Sequence, residues 1–489
     1  MNHPFRGYRA DDRIWAGAYP STYPHSAEGT KATLDWLVAH QVGVIIDLTT
    51  PDDQLPEYCD IVTTHAPSIT YMRFPIRDVS IPSEPLMLAI LDAMSAAVAD
   101  GKRVYVHCWG GVGRTGTVIG CWYVRQGTTG DEALARIKSV RAGIERESPE
   151  TTAQSEFVRN WCEPSAHRAI AMRTLRDRYR GAMIGMAVGD AIGTTIEFSP
   201  AGTKSVYDMI GGGPFGLPAG AWTDDTSMAL CLAESLILQQ EFDAVDQMRR
   251  YTWWHDRGYF SSIGRCFDIG ITTSYALARF ARDGRPYAGS TDEQSAGNGS
   301  LMRLAPIALM YGYDDALCAQ YARDSSRTTH GAPQAVDACA AFALVLGGAL
   351  RGHSHATLCG STYAPLNQYQ WHPTIAEVVH GSYRQRQPPE IRGTGYVVKS
   401  FEAAMWANYQ HSTFADAVLA GINLGEDADT TGAIAGQLAG ALYGESAIPL
   451  HWRQRLVMYD SIGWRADELL KLAWPMWHTT HAQFAEENI

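Results

Sequence analysis

Between Asn423 and Gly444 the chain reads NLGEDADTTGAIAGQLAGALYG, with glycine at every fourth position: Gly432, Gly436, Gly440 and Gly444. Ile434, Leu438, Ala441 and Leu442 mark an apolar stripe at helical spacing. Each interior glycine destabilises a helix by roughly 0.5–1 kcal/mol relative to alanine. Four of them in register make sense only where another helix comes very close. The front of the segment, Glu426-Asp427-Ala428-Asp429-Thr430, is acidic. On a regular helix Asp427 and Asp429 would point in different directions. In the loop and first turn they can converge on one ligand, helped by the positive end of the helix. Three clustered carboxylates repel one another without a cation. An ordinary N-cap explains one Asp and the Thr but not this density, so the segment reads as a metal site.

A chain of 489 residues has room for two to four domains, each with its own core. With 46% hydrophobic and 19% charged residues it reads as compact and soluble. The net charge of −12 argues against general nucleic-acid binding. The opening MNHPFRGYRADDR lacks the apolar run of a signal peptide, and the longest apolar run, around Ala340–Leu350, is too short for a bilayer and reads as a buried helix. Nine scattered cysteines without a Cys-x-x-Cys pair suit a reducing cytosol. The expectation is a cytoplasmic protein with no membrane partner.

Residues 1–165 alternate strand-like and helix-like segments, Val42–Leu48 and Arg103–Val106 reading as buried parallel strands. From about Arg173 strand-like runs nearly vanish, and alanine- and glycine-rich helical stretches follow: Thr226–Gln239, Gln334–Leu350, Val398–Tyr409 and Thr431–Tyr443. The boundary falls near Glu163–Arg173. The expected fold is multidomain: an α/β domain on a central, mostly parallel sheet over 1–165, then an all-α domain over 173–489.

Val106–Gly116 reads VHCWGGVGRTG: a strand ends in His107-Cys108, five residues with three glycines follow, and Arg114 and Thr115 open a helix. Glycines let consecutive N–H groups turn inward into a nest for a phosphate dianion. Arg114 can grip two phosphate oxygens at once. The same nest stabilises a thiolate, making Cys108 a candidate nucleophile. This stretch resembles the signature loop of the cysteine-dependent tyrosine and dual-specificity phosphatases, with GRTG closest to the dual-specificity branch. The resemblance implies a phosphocysteine intermediate, no cofactor, and Thr115 assisting release by hydrogen-bonding the sulfur. Asp78, thirty residues upstream in FPIRDVSIP, lies where that family carries its general acid, on a loop framed by Pro75 and Pro82. Gln154 resembles a water-positioning glutamine of some relatives. Bulky Trp109 beside Cys108 departs from the pattern and bears on pocket shape.

In the helical part, Thr223-Asp224-Asp225 precedes a helical run and forms a second acidic helix start. Brought together, the two starts offer an all-oxygen cage, which favours Mg2+ or Mn2+ over Zn2+. RGAMIGMAVGDAIGTTIEF (180–198), GAWTDDTSM (220–228), GNGSLMR (297–303), TTHG (328–331), GTGYVV (393–398) and EDADTTGAIAGQ, in this order, resemble the ADP-ribosylglycohydrolases, including those acting on dinitrogenase reductase. The resemblance implies two Mg2+ or Mn2+ ions held by Thr223, Asp224, Asp225, Asp427, Asp429 and Thr430. They would grip the distal ribose and orient a water towards the anomeric carbon, with an oxocarbenium-like transition state. Asp224 or Asp225 would relay protons. For substrate it implies Glu197 near the ribose and Asn298, Gly299 and Ser300 as a backbone nest for the pyrophosphate. His330 serves as a contact or a structural histidine, and Tyr396 stacks on adenine or belongs to the core. Asp190 reads as orienting a metal ligand or as capping a turn, with the turn slightly favoured, and Asp268 fits the motif without a definable role.

Together these features describe a bifunctional hydrolase. Its partners would be an ADP-ribosylated protein or small ADP-ribose conjugate, with arginine the leading acceptor, and a phosphorylated substrate. Nucleic acid enters only as a modified substrate. Two alternatives keep part of this: the first domain as a phosphate-binding adaptor, or the second as an ADP-ribose sensor without turnover.

Overall fold

The computed structural model describes residues 6–21, 25–144, 146–360 and 363–484. The first five residues, part of the opening stretch read above, lie outside these. The chain divides into two compact units, Met1–Arg173 and Thr174–Ile489. The division falls within a helix, Ala166–Gly193.

The first unit is built on five strands: β1 (Gly7–Arg9), β2 (Ile14–Gly17), β3 (Val42–Asp47), β4 (Thr70–Arg73) and β5 (Arg103–His107). Their order is β1-β2-β5-β3-β4, parallel except for β1. Leu34 and Leu37 of α1 (Ala27–Ala39) and Val62 of α2 (Cys59–His65) pack with Ile45 and Tyr105. Val44, Ile46, Val104 and Val106 alternate with these, so they face the other way, and all are buried. Helices α3 (Glu84–Ala99) and α4 (Gly113–Arg125) pack on β5. Full burial of each such Ile or Val is worth roughly 1.5–3 kcal/mol. Two further helices, α5 (Gly130–Val140) and α6 (Thr152–Asn160), pack on α4. Asp47 lies opposite His107, so β3 and β5 end level and their loops leave the sheet side by side.

The second unit is helical, with no named strand among the described residues. It opens with the rest of α7 (Ala166–Gly193) and continues through α8 (Asp224–Gln239). The helix expected around Ala340–Leu350 runs over eighteen residues, Pro333–Leu350. It is long and apolar enough to cross a membrane by length and composition, and 89% of it is buried inside the unit.

The close helix partner demanded by the glycine stripe is α7, which carries a matching stripe. A Cβ on Gly181, Gly185 or Gly189 would lie 2.2, 2.5 or 2.1 Å from the carbonyl oxygens of Gly440, Gly436 and Gly432. The helices therefore run antiparallel and touch backbone to backbone. Gly444, the last glycine of the stripe, instead ends the Ala428–Tyr443 helix at φ +83°.

Candidate functional site

In the first unit the loop 108–112 joins the end of β5 to the start of α4. Its carbonyls are tied away by donors around it. Tyr19 N donates to Trp109 O at 3.0 Å, Arg141 Nη1 to Gly111 O at 2.8 Å and Ser148 Oγ to Val112 O at 2.7 Å. An anion seat must present N–H groups and no carbonyl, so this is the arrangement a nest requires. Gly111 has φ +66°, and a Cβ there would meet the Gly17 carbonyl carbon at 2.3 Å. Only glycine serves at that position.

Arg114 is buried, and its guanidinium donates to both carboxylate oxygens of Asp53, at 2.7 and 3.1 Å. It also donates to Ile76 O at 3.0 Å and pairs with Asp78 at 2.9 Å. Burial works against its charge, but Cys108, Asp53 and Asp78 raise its pKa above the usual arginine value. His107 is buried, which lowers its pKa; its Nε2 lies 2.5 Å from Tyr58 Oη. A sequence reading overlooks Asp53, whose signal is the Thr-Pro-Asp-Asp turn that follows β3 after Leu48 and Thr49. Thr50 N donates to Asp53 Oδ2 at 2.7 Å and fixes it.

The buried Thr115 hydroxyl lies 3.5 Å from the Gly17 carbonyl at the end of β2. One expectation is corrected here. Gln154 is wholly buried, with its amide taken up by backbone. Oε1 accepts from the Glu150 and Thr151 N–H groups, and Nε2 donates to Ser80 O at 3.1 Å. It tethers the loop that carries Asp78.

In the second unit the glycine contact carries the chemistry. Asp190 in α7 is wholly buried and accepts four hydrogen bonds: from Thr223 N and Oγ1, both at 2.9 Å, and from Thr226 N and Oγ1 at 3.1 and 2.7 Å. It is no turn residue; it caps α8 from a neighbouring helix. Glu197 caps the Ala428–Tyr443 helix in the same way, its Oε2 accepting from Ala428 N at 2.7 Å and Asp429 N at 3.1 Å. The two acidic starts thus meet. Thr223 Oγ1 lies 3.2 Å from Asp225 Oδ2 and 3.3 Å from Asp429 Oδ2, and Thr430 Oγ1 donates to Asp225 Oδ1 at 3.1 Å.

Two carboxylate triads result, Asp190–Asp225–Asp429 and Glu197–Asp427–Asp429, each with its oxygens within 4.8 Å of one another. Asp429 belongs to both. Burial, reinforced by neighbouring carboxylates, raises Asp224, Asp225 and Asp429 well above the usual carboxylate range. Burial likewise pushes Glu197 up to about 8. Among the described residues no Arg, Lys or His acts on the charge of any member of the triads. Such a cluster must hold protons or a cation, and its all-oxygen donors fit Mg2+ or Mn2+.

A cavity of about 950 Å3 opens over these groups, lined by Glu197, Asp224, Asp268, Asn298, His330 and Asp427 among others. A family model described as ADP-ribosylglycohydrolase matches residues 171–479. The chain belongs to the ADP-ribosylglycohydrolase family. The ADP-ribosylarginine hydrolase Tri1 of Pseudomonas putida is 43% identical over 298 residues, covering 61% of this chain and 79% of that one. The ADP-ribosyl dinitrogen reductase glycohydrolase of Rhodospirillum rubrum is 30% identical over 310 residues, 61% of this chain and 98% of that one. A solved ADP-ribosylglycohydrolase-related protein complex is 43% identical, with a TM-score of 0.55, covering 62% of this chain and 99% of that one. A second family model, the DSP-PTPase phosphatase of polymorphic toxin systems, matches residues 20–128. The chain therefore joins a dual-specificity-type phosphatase domain to an ADP-ribosylglycohydrolase domain.

Within the glycohydrolase unit most of the expected residues gather at the cavity. Asn298 is there, donating from Nδ2 to Asp427 Oδ2 at 2.7 Å. His330 lies beneath Gly297 and Gly299, where a Cβ would come within 3.3 Å of its ring. Burial, with Arg303 nearby, pushes its pKa down to about 3, so the ring is neutral. Ser300 is not at the cavity: its hydroxyl is buried, accepting from Ser326 Oγ and Cys339 Sγ. Tyr396 lies outside the cavity lining, at the start of the Val397–Gln410 helix, bridged to Gly297. Asp224 lines the cavity but belongs to neither triad. Asp268, left without a role by its sequence, lines it too at φ +55°, with burial raising its pKa to about 7.

Proposed function

We propose that the second unit hydrolyses the N-glycosidic bond between ADP-ribose and arginine with two divalent cations, and that the first hydrolyses a phosphomonoester through Cys108. The observation that carries the glycohydrolase reading is the pair of triads sharing Asp429 at a cavity large enough for a nucleotide conjugate. The arginine acceptor is supported by the relative named an ADP-ribosylarginine hydrolase.

Thr223, Asp225, Asp427, Asp429 and Thr430 would hold Mg2+ or Mn2+, whose chemistry is to lower the pKa of a water and anchor ribose hydroxyls. Asp225 has both oxygens engaged by Thr223 and Thr430, which suits a ligand. Asp224 stands on the cavity wall outside both triads, which suits the proton relay. The water oxygen bonds the anomeric carbon as the C–N bond breaks. The electron pair leaves on the guanidino nitrogen, and the water's proton reaches that nitrogen through Asp224.

In the first unit, Cys108 would attack phosphorus while the phosphate takes Asp78's place on Arg114. Asp78 is then free to protonate the leaving oxygen.

Incubating the full chain with arginine-, serine- and acetyl-linked ADP-ribose, with Mn2+ or with EDTA, tests the first assignment. Release of ADP-ribose from arginine only with metal is expected; no release from any conjugate overturns it. For the second, an aryl phosphate should be turned over by the native chain and not by Cys108→Ser.

A further inference from the structure

We infer that Glu426 is the specificity-determining residue that reads the acceptor, taking the guanidinium of an arginine-linked substrate, and that Arg392 holds its place until that substrate arrives. The inference rests on the glycohydrolase reading above.

Glu426 sits at φ +59°, the left-handed region, where a side chain is disfavoured and glycine is the usual occupant. The backbone there is held from both directions. Phe198 N donates to Glu426 O and Glu426 N donates to Ser199 O, both at 2.8 Å. These bonds fix Glu426 on the cavity wall beside Glu197 and Asp427, next to the groups proposed to surround the reacting ribose carbon.

The carboxylate is only half used. Oε1 accepts from Arg392 Nη2, while Oε2 is buried without a hydrogen-bond partner. A carboxylate facing a guanidinium favours two parallel bonds, and this pair makes one. A desolvated oxygen left empty is unfavourable unless a ligand completes it.

Arg392 has the character of a placeholder. Its side chain is 53% exposed, so the pair is weak and easily exchanged. Its neighbour Gly393 accepts from Asp427 N at 3.0 Å, which keeps the Arg392 segment at the cavity mouth. Among the described lining residues Arg392 is the one guanidinium or ammonium, against carboxylates that include Glu197, Asp224, Asp268 and Asp429. A wall of that sign favours a cationic acceptor over a neutral or anionic one. The substrate's guanidinium, a planar fork, can exchange with Arg392 and engage both oxygens of Glu426. It stays cationic after the C–N bond breaks, so Glu426 acts on binding and selectivity.

The test compares wild type, Glu426→Gln, Glu426→Gly and Arg392→Gln as full chains with Mn2+, on an ADP-ribosylated arginine peptide and on O-acetyl-ADP-ribose. Glu426→Gly suits the local φ and so guards against misfolding. In both Glu426 variants the arginine-over-acetyl ratio of kcat/KM should fall about tenfold or more, mainly through KM. Arg392→Gln should lower KM for the arginine peptide. Titrating methylguanidinium into each chain saturated with ADP-ribose makes the same comparison without turnover, and wild type should bind it at least about tenfold more tightly than Glu426→Gln. An unchanged ratio, or equal methylguanidinium affinity, overturns the inference. A wild-type chain that binds no ADP-ribose would instead overturn the glycohydrolase reading.

Discussion

Gly189 and Gly432 meet backbone to backbone: a Cβ added to Gly189 would sit 2.1 Å from the Gly432 carbonyl oxygen. Asp190 follows Gly189 directly, and Asp429 lies one helical turn before Gly432. The close approach is therefore what brings Asp190 and Asp429 within reach of Asp225. Helices carrying ordinary side chains at this crossing would hold those carboxylates ångströms apart.

Gly189→Ala tests this contact. Alanine gains roughly 1 kcal/mol of helix propensity over glycine, but the overlap with the Gly432 carbonyl should outweigh it and leave a net loss of about 1–3 kcal/mol. Mn2+ affinity should fall as well, because the triad opens. Thermal unfolding with and without Mn2+ reads both effects, and an unchanged midpoint and metal shift would refute the packing argument.

The raised carboxyls give the metal-free protein a pH signature. Glu197 titrates near 4.5 in an unfolded chain and at about 8 when folded; Asp268 moves from 3.8 to about 7. Between those limits the folded state holds the extra protons, so stability is greatest on the acid side and declines as pH rises towards 8. Bound Mg2+ or Mn2+ replaces the protons and should flatten the decline. Melting temperatures in EDTA should drop from pH 6 to pH 8, and added metal should raise them more at pH 8. Parallel curves would contradict this.

Asp78 pairs with Arg114 while its carboxylate is 48% exposed, whereas Asp53 holds the same guanidinium with only 3% exposure. Phosphate should displace the first and not the second. Asp78→Asn should lower kcat on an aryl phosphate by about 10²–10⁴ and lower KM, since the competitor is gone. Asp53→Asn should raise KM. A raised KM in Asp78→Asn would show that the pair does not compete with substrate.

How far the sequence led can be seen in the two stripes. Four glycines at helical spacing announced a close helix partner, and acidic starts at Thr223 and Asp427 announced an oxygen cage. The strand–Cys108–Arg114–helix spacing likewise announced an anion seat. Asp190 and Glu197 stood out in the sequence, but their capping roles were not legible, because their partners are distant in the chain. Asp190 caps α8 across thirty-three residues and Glu197 caps a helix more than two hundred residues later. The hint was present in Asp190, a lone carboxylate in the apolar run MAVGDAIG. The Ser300 hydroxyl is claimed by Ser326 and Cys339, so any part Ser300 has in a nest falls to its backbone.

The adjacent aspartates separate by function. Asp225→Asn should weaken Mn2+ binding, since that residue joins a triad. Asp224→Asn should retain metal and lower kcat by about 10²–10⁴, the range for loss of a positioned proton carrier. Calorimetric Mn2+ titration beside steady-state kinetics distinguishes them, and equal loss of metal in both would remove Asp224 from the relay.

Equilibrium Mn2+ binding, measured together with ADP-ribose release from ADP-ribosylarginine, addresses the shared role of Asp429 most directly. Wild type should bind two ions per chain, and Asp429→Asn should weaken both sites and abolish release, because its carboxylate belongs to both triads. Full release by metal-free wild type, or an Asp429→Asn chain that keeps both ions and its activity, would contradict the two-cation centre.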